Sequence, residues 1–275
     1  DQPSDETEKK REKQVSIQIL DSADQVIRKF DGPMKKGLNR AFWDLCREGF
    51  QLPSVTGRVR GFSPPGPEIL PGKYKVKIKM GDYEATQAVE VLPDPRVTVP
   101  MEERKQKYEA LVQVGERIEI VTEAVEQIRK MEKSVDVVLE RIKDNKDHAG
   151  INDKTDLDES KELKKSGGEL KKRLKKVLQL FVDEGGKQGI TREDNVSRKL
   201  WYVSNSLGSS WDKPTASQVT YLRQAEEALK KALDEYNNLF EKDVVEFQQK
   251  VKQSNFTIFP AVEKLDMKWR RRSTK

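Results

Sequence analysis

Few residues in this 275-residue chain are of the types that carry out chemistry. There is one histidine, His148, and one cysteine, Cys46. A Ser-His-Asp triad or a histidine-rich metal site would have to use His148, which lies in the polar stretch "DNKDHAGIND". A single cysteine allows neither an intrachain disulfide nor a cysteine-based zinc site. Trp43-Asp44 sets a ring that could stack on a ligand beside a carboxylate, although the alternation around it reads as a core tryptophan on a strand with an outward acid. "NDKTDLDES", residues 152–160, brings oxygen ligands close together and could hold Ca²⁺, but it lacks the glycine and the closing bidentate acid of an EF-hand loop. A polar interhelix turn, with Asp156 or Asp158 capping the next helix, is the simpler reading. "GGKQGIT" departs from the phosphate-loop spacing and follows no strand.

Two charged motifs remain. Asp94-Pro95-Arg96 is a proline-fixed turn flanked by opposite charges, and an ion-pair latch at a domain junction is expected of it. Lys268, Trp269, Arg270, Arg271 and Arg272, in the closing "MKWRRRSTK", form a possible basic surface for nucleic acid, acidic lipid or acidic glycan. As an isolated cluster it reads first as a solvated tail. No acid, base and nucleophile converge in the sequence, and no pair of carboxylates is recognisable at the ends of strands, as a glycosidase would need. No catalytic residue, cofactor or metal is therefore expected.

The composition agrees with a scaffold. Charged residues make up 36% and hydrophobic residues 35%, enough apolar side chains for a core on a charge-rich chain. The 53 basic and 47 acidic residues leave a net charge of only +6, and the signs interleave as on solvated helix faces, so nucleic acid is an unlikely partner. A mean hydropathy of -0.83 suits long solvated helices. No apolar run approaches the ~18 residues of a membrane span. "DQPSDETEKKREK" is not a signal peptide, and a chain opening on Asp1 is expected to be a fragment or processed product of something longer.

The pattern changes character near Pro100. Proline is dense from Pro33 to Pro100, and afterwards only Pro214 and Pro260 occur. Before the change the apolar residues alternate with period two. Val15, Ile17 and Ile19 make a first strand and "QVIRKF" a second. Ala41, Trp43 and Leu45 share one face of a third. A long loop follows, and Tyr74, Val76, Ile78 and Met80 lead through the turn "MGDY" to Tyr83, Ala85, Val89 and Val91. Trp43, Leu45, Tyr74, Val76 and Ile78 are the expected core of a small antiparallel sandwich.

After Pro100 the period becomes seven. Leu111, Ile118 and Val125 form one series, and Val114, Val121, Ile128, Val135 and Ile142 a second. They predict a helix over about 101–147, roughly 70 Å long. Leu163, Leu170 and Val177 continue the spacing, with a weakness expected at Gly167-Gly168 and a break at "DEGGKQGITRED". A short helix is expected over about 192–208. A last long helix, capped by Asp212 or Thr215, is expected to end near Lys252. Helix lengths favour an up-down-up arrangement with the middle arm broken near Gly185-Gly186, with four antiparallel helices as the alternative.

"GLNRAFWDL", then "LPGKYKVKIKMGDYEATQAVEVLPDPR", then the helix opening "MEERKQKYEALVQ" resemble in that order the C-terminal region of bacterial sortilin-like, BNR-repeat β-propeller proteins, often described as glycosyl-hydrolase-like. The last helix is also similar to that family's, its pattern carried by Asn238, Leu239 and Asp243. The resemblance runs from about residue 14 to 253. It departs at Cys46 with "CREGF" and in the loop from Val59 to Pro67. It implies an Ig-like module closed by Asp94, Pro95 and Arg96, then a helical segment, without the propeller blades in which ligand binding or glycan cleavage would be expected.

The resulting expectation is a multi-domain β plus all-α chain, a small antiparallel Ig-like β-sandwich followed by a long antiparallel helical bundle. Residues 1–13 would be a disordered or linker tail, 14–97 the sandwich, 98–255 the bundle and 256–275 a basic tail. Its expected role is a non-catalytic structural or interaction region of a larger exported β-propeller protein, supporting or docking an extracellular assembly. Its partners would be propeller domains of the same polypeptide or another cell-envelope protein, and its place the periplasm, cell surface or exterior. The alternatives are a carbohydrate-binding or glycosidase-associated accessory domain, and binding of nucleic acid or an acidic surface through the tail.

Overall fold

The computed structural model describes residues 15–53, 65–148, 154–183 and 195–254. Over these the fold is mixed β plus α: a four-stranded antiparallel sheet, then four helical runs. The strands are β1 (Val15–Leu20), β2 (Val26–Gly32), β3 (Gly72–Met80) and β4 (Tyr83–Val91), in the order β2-β1-β3-β4. Alternation puts Ile17 and Ile19 on one face of β1, where they bury with Ile27 and Ile69. Val15, Phe30, Trp43, Tyr74, Val76 and Val91 pack around this cluster. The register sets Ile17 opposite Ile78 and Ile19 opposite Val76. Asp21 closes the β1–β2 turn, its Oδ1 accepting from the backbone N–H of Ala23 (2.9 Å) and Gln25 (3.0 Å). Gly81, at φ +58, opens the two-residue turn between β3 and β4, where a left-handed residue matches the strand twist.

The third strand expected at Ala41, Trp43 and Leu45 does not form. This stretch is irregular apart from an isolated bridge between Cys46 and Glu68. The reason is local. The Asp44 carboxylate accepts from the Cys46 backbone N–H (3.1 Å), the Trp43 Nε1–H donates to the Cys46 carbonyl (2.9 Å), and Leu45 takes φ +56. A side-chain-closed turn with a left-handed residue cannot continue an extended ladder. Leu45 is consequently 39% exposed rather than in the core. Ile78 is also outside it, at 42%, because the cover over the sheet ends before the β3–β4 turn.

The helices are α1 (Met101–His148), α2 (Lys154–Phe181), α3 (Val196–Gly208) and α4 (Ala216–Asn238), the last running on through a π-helical turn at Leu239–Val244 into α5 (Val245–Gln253). Val114, Val121, Val125, Ile128, Val135 and Ile142 are all buried, which is the seven-residue periodicity expressed as packing. Thr215 caps α4 reciprocally with Gln218: its Oγ1 accepts from the Gln218 N–H (3.2 Å), and the Gln218 Oε1 accepts from the Thr215 N–H (2.8 Å).

The chain packs as two compact units. The first holds the residues up to Gln127 with Leu178–Leu233, and therefore the sheet, the start of α1, α3 and most of α4. There the Glu226 Oε1 accepts from Gln113 Nε2 and Arg117 Nε, both at 2.9 Å, clasping α4 to α1. The second holds Ile128–Val177 and the chain from Asp234. In it α2 runs unbroken through Gly167-Gly168, against the expected weakness. Gly167 faces Leu139 and Phe247 so closely that a Cβ would lie 2.9 Å and 3.3 Å from their side chains, so packing holds the helix together where propensity would weaken it. Arg173 reaches Glu235 just before the π-helical turn (2.9 Å) and Asp243 within it (3.7 Å).

Candidate functional site

The segment after Trp43 joins the sheet to the helices of the first unit. Arg28 on β2 holds it through Asp44 (3.4 Å) and Glu48 (3.5 Å). The other side of the segment is fixed by backbone bonds, Ile69 N–H to Leu45 O (2.8 Å) and Arg47 N–H to Pro67 O (3.0 Å). The chain then lies along α1. The Arg47 guanidinium approaches the Tyr108 hydroxyl (3.5 Å), the Phe50 ring seats on Gly115, and the buried Thr122 hydroxyl donates to Gln51 O (2.8 Å). A Cβ at Gly115 would lie 2.0 Å from Phe50 Cε2, a separation that real atoms do not reach. Tyr108, Gly115 and Thr122 are seven residues apart and form a stripe on α1 separate from its apolar seams.

A cavity of about 880 Å³ opens beside this joint. That is within the size range of small-molecule sites. Phe50, Glu68, Lys107, Tyr108 and Trp211 are among its walls. The Lys107 ammonium stands 5.0 Å over the Trp211 ring. Burial lowers the Lys107 pKa, against the opposing pull of Glu68 and Asp212. The cavity thus sets the partly desolvated Lys107 and an aromatic face beside Glu68, with Asp94, Arg96 and Arg104 also among its walls. The Cys46 thiol is pushed up by burial and then by the Asp44 and Glu68 charges, with Arg28 opposing them. Among the described residues no group of three His, Cys, Asp or Glu is placed to hold a metal, and no helix is long and apolar enough to cross a membrane.

The residues singled out in the sequence take these places. Trp43 is half-buried, edge-on to Tyr74 at 5.8 Å. The Tyr74 hydroxyl donates to Leu70 O (2.7 Å), and burial raises its pKa, followed by the effects of Tyr108 and Asp21. Val76 packs on the sheet core. Asp94 and Arg96 pair with each other inside their own turn, Oδ2 to Nη2 at 2.6 Å. Arg104 holds the linker, donating to Val97 O (2.7 Å) and Val99 O (3.0 Å). Arg96 lowers the Asp94 pKa through its side-chain hydrogen bond, and Asp94 raises that of Arg96 in the same way. Of the stretch read as a calcium loop or a polar turn, the backbone is helical from Lys154. Asn152, Asp153, "GGKQGIT" and the basic cluster Lys268–Arg272 lie outside the described residues.

The stripe on α1 is what sequence reasoning missed. Its signal was present, a glycine inside a long helix at heptad distance from a tyrosine and a threonine. A second surface lies on α3 and α4, where Trp201 (63% exposed), Tyr202 (50%) and Tyr221 (42%) line a groove of about 380 Å³ with Arg198 and Gln224. Tyr202 meets Tyr221 edge-on at 5.3 Å. Comparison with protein-family models, curated proteins and solved structures found no match to this chain.

Proposed function

We propose that this chain is a non-catalytic structural and interaction region, a β module mounted on helices that supports or docks a larger assembly. In this reading the sheet belongs to an Ig-like sandwich and the helices to an antiparallel bundle. The larger protein is an exported β-propeller protein of the sortilin-like, BNR-repeat kind, acting at the cell surface or in the periplasm. The observation that carries the mounting role is the docking of Arg47, Phe50 and Gln51 on the Tyr108–Gly115–Thr122 stripe. It places a ring against bare backbone, a joint that resists rotation, as a mount requires. Trp43 and Asp44 are likewise occupied, closing a turn on the Cys46 backbone.

The test begins with the reading frame upstream of Asp1. Propeller blades are expected there, and the separately produced blade domain should bind the 275-residue chain by titration calorimetry. A frame without blades, or blades that do not bind, would sink the propeller part of the reading.

A second reading, a carbohydrate-binding accessory domain, is favoured by the exposed Trp201, Tyr202 and Tyr221, because aromatic faces stack on sugar rings. A glycan panel screened with the chain and with its Trp201→Ala variant separates the two. Binding that disappears with Trp201 supports this reading, and a blank panel removes it.

A further inference from the structure

The two edges of the sheet are finished differently. At β2 the outer backbone is covered, with the Glu48 N–H donating to Ile27 O (2.6 Å) and the Lys29 N–H donating to Glu48 Oε2 (3.1 Å). Among the described residues no such segment lies along β4. Its turn closes on the Met80–Tyr83 pair, and bonded and non-bonded pairs alternate from there. The backbone groups of Glu84, Thr86, Ala88 and Glu90 therefore face away from β3. Among the described residues their contact is the neighbouring Gln87 amide, 3.4 Å from Ala88 O.

β4 has two glutamates but few of the other protections usual in an edge strand. It contains no lysine and no proline, and it pairs with β3 over its whole length without a bulge. Next to this edge the core face is bare, with Tyr83 76%, Ile78 42% and Met80 39% exposed. Ala85, cross-strand from Ile78, is exposed as well.

We propose that β4 is a docking edge for an extended segment of another polypeptide, added as a fifth strand in which apolar residues alternate with lysine or arginine. The charges of β4 itself, Glu84 and Glu90, which lie opposite Lys79 and Lys73 of β3, point to this occupant. On the polar face β4 presents Glu84 and Glu90, with Lys77 reaching Glu84 from β3 (2.7 Å). Basic residues of an added strand meet those acids, while its apolar residues continue Tyr83, Ala85 and Val89. In the register of greatest overlap, a second copy of this chain fits worse. Two β4 strands paired about a two-fold axis at Gln87 set Glu84 of each opposite Glu90 of the other, a repulsive cross-strand pair. The proposal rests on the interaction-module reading only in that a partner exists.

Hydrogen exchange on the full chain tests it, with a synthetic peptide of about ten residues, the length of a long strand, alternating lysine with valine and isoleucine. Exchange of the outward amides of Glu84, Thr86, Ala88 and Glu90 should slow at least about tenfold at saturating peptide. The same peptide with glutamate for lysine should leave it unchanged, and the pair Glu84→Lys and Glu90→Lys should reverse that preference. Thr86→Pro removes an outward N–H without removing a bond to β3, so protection should vanish while β1 and β3 exchange as before. Protection elsewhere, or protection indifferent to the charge reversal, overturns the proposal. So does slow exchange of the outward amides of Glu84, Thr86, Ala88 and Glu90 in the free chain, which would mean the chain's own residues cover them. Protection that grows with protein concentration would assign the edge to a second copy and overturn it equally. None of these readings involves a propeller domain, so failure here and failure to bind propeller blades remain separate results.

Discussion

Gly115 and Gly167 are both glycines inside long helices, one in each compact unit, and they are there for different reasons. At Gly115 the neighbour is a ring from an irregular segment, and a Cβ would meet three Phe50 atoms between 2.0 and 2.3 Å. At Gly167 the neighbours are the side-chain ends of Leu139 and Phe247, at 2.9 and 3.3 Å, which can move by a few tenths of an ångström. Gly168 has nothing within 4 Å of a Cβ. The same residue type, disfavoured in a helix, is therefore a socket in the first unit, a close approach in the second, and at the adjacent position simply a propensity cost.

The largest effect that could break this comparison is at the socket. Gly115→Ala should destabilise the chain by about 1–3 kcal/mol from overpacking, well above the helix-propensity gain of about 1 kcal/mol. In a Phe50→Ala background the same change should become neutral or stabilising, and denaturant titration of the four proteins measures the coupling. An equal cost in both backgrounds would show that the ring is not seated there.

Further along the same stripe, Thr122→Val leaves the Gln51 carbonyl without its donor and should cost about 1 kcal/mol, with Thr122→Ser recovering part of it. In the second unit, Gly168→Ala should stabilise by up to about 1 kcal/mol, and Gly167→Ala by less, because Leu139 must shift. Melting temperatures of the two variants, compared side by side, decide it. If Gly167→Ala is the better of the two, the close approach is not real.

The smallest effect concerns charge. Lys107 has a lower pKa folded than unfolded, so the folded chain binds fewer protons and stability should rise with pH between the two values. Lys107→Met should remove that slope in urea titrations across alkaline pH. By contrast, Asp94→Asn should leave stability unchanged at neutral pH, since both partners of that pair are in solvent.

Much of this fold was legible in the residues. The seven-residue series Val114, Val121, Ile128, Val135 and Ile142 is buried throughout, and the sheet core uses the alternating Ile17 and Ile19. The site was less legible. Ala41, Trp43 and Leu45 alternate as a strand would, but Asp44 offers its carboxylate to the backbone two residues on, and that local bond wins over the ladder. Ile78 falls on the core face as its period predicts, yet periodicity states a direction and not how far a cover extends. Trp211 above Lys107 joins residues too far apart in the chain for any spacing to reveal.

Helical and extended periods, the Thr215–Gln218 cap and the Gly81 turn follow from forces acting over a few neighbouring residues, and these can be read along the chain. Folding in three dimensions settled which glycine receives a ring, which edge of the sheet is covered and which cation is desolvated. Each of those depends on steric contact or loss of water between segments distant in sequence, and such terms have no period to read.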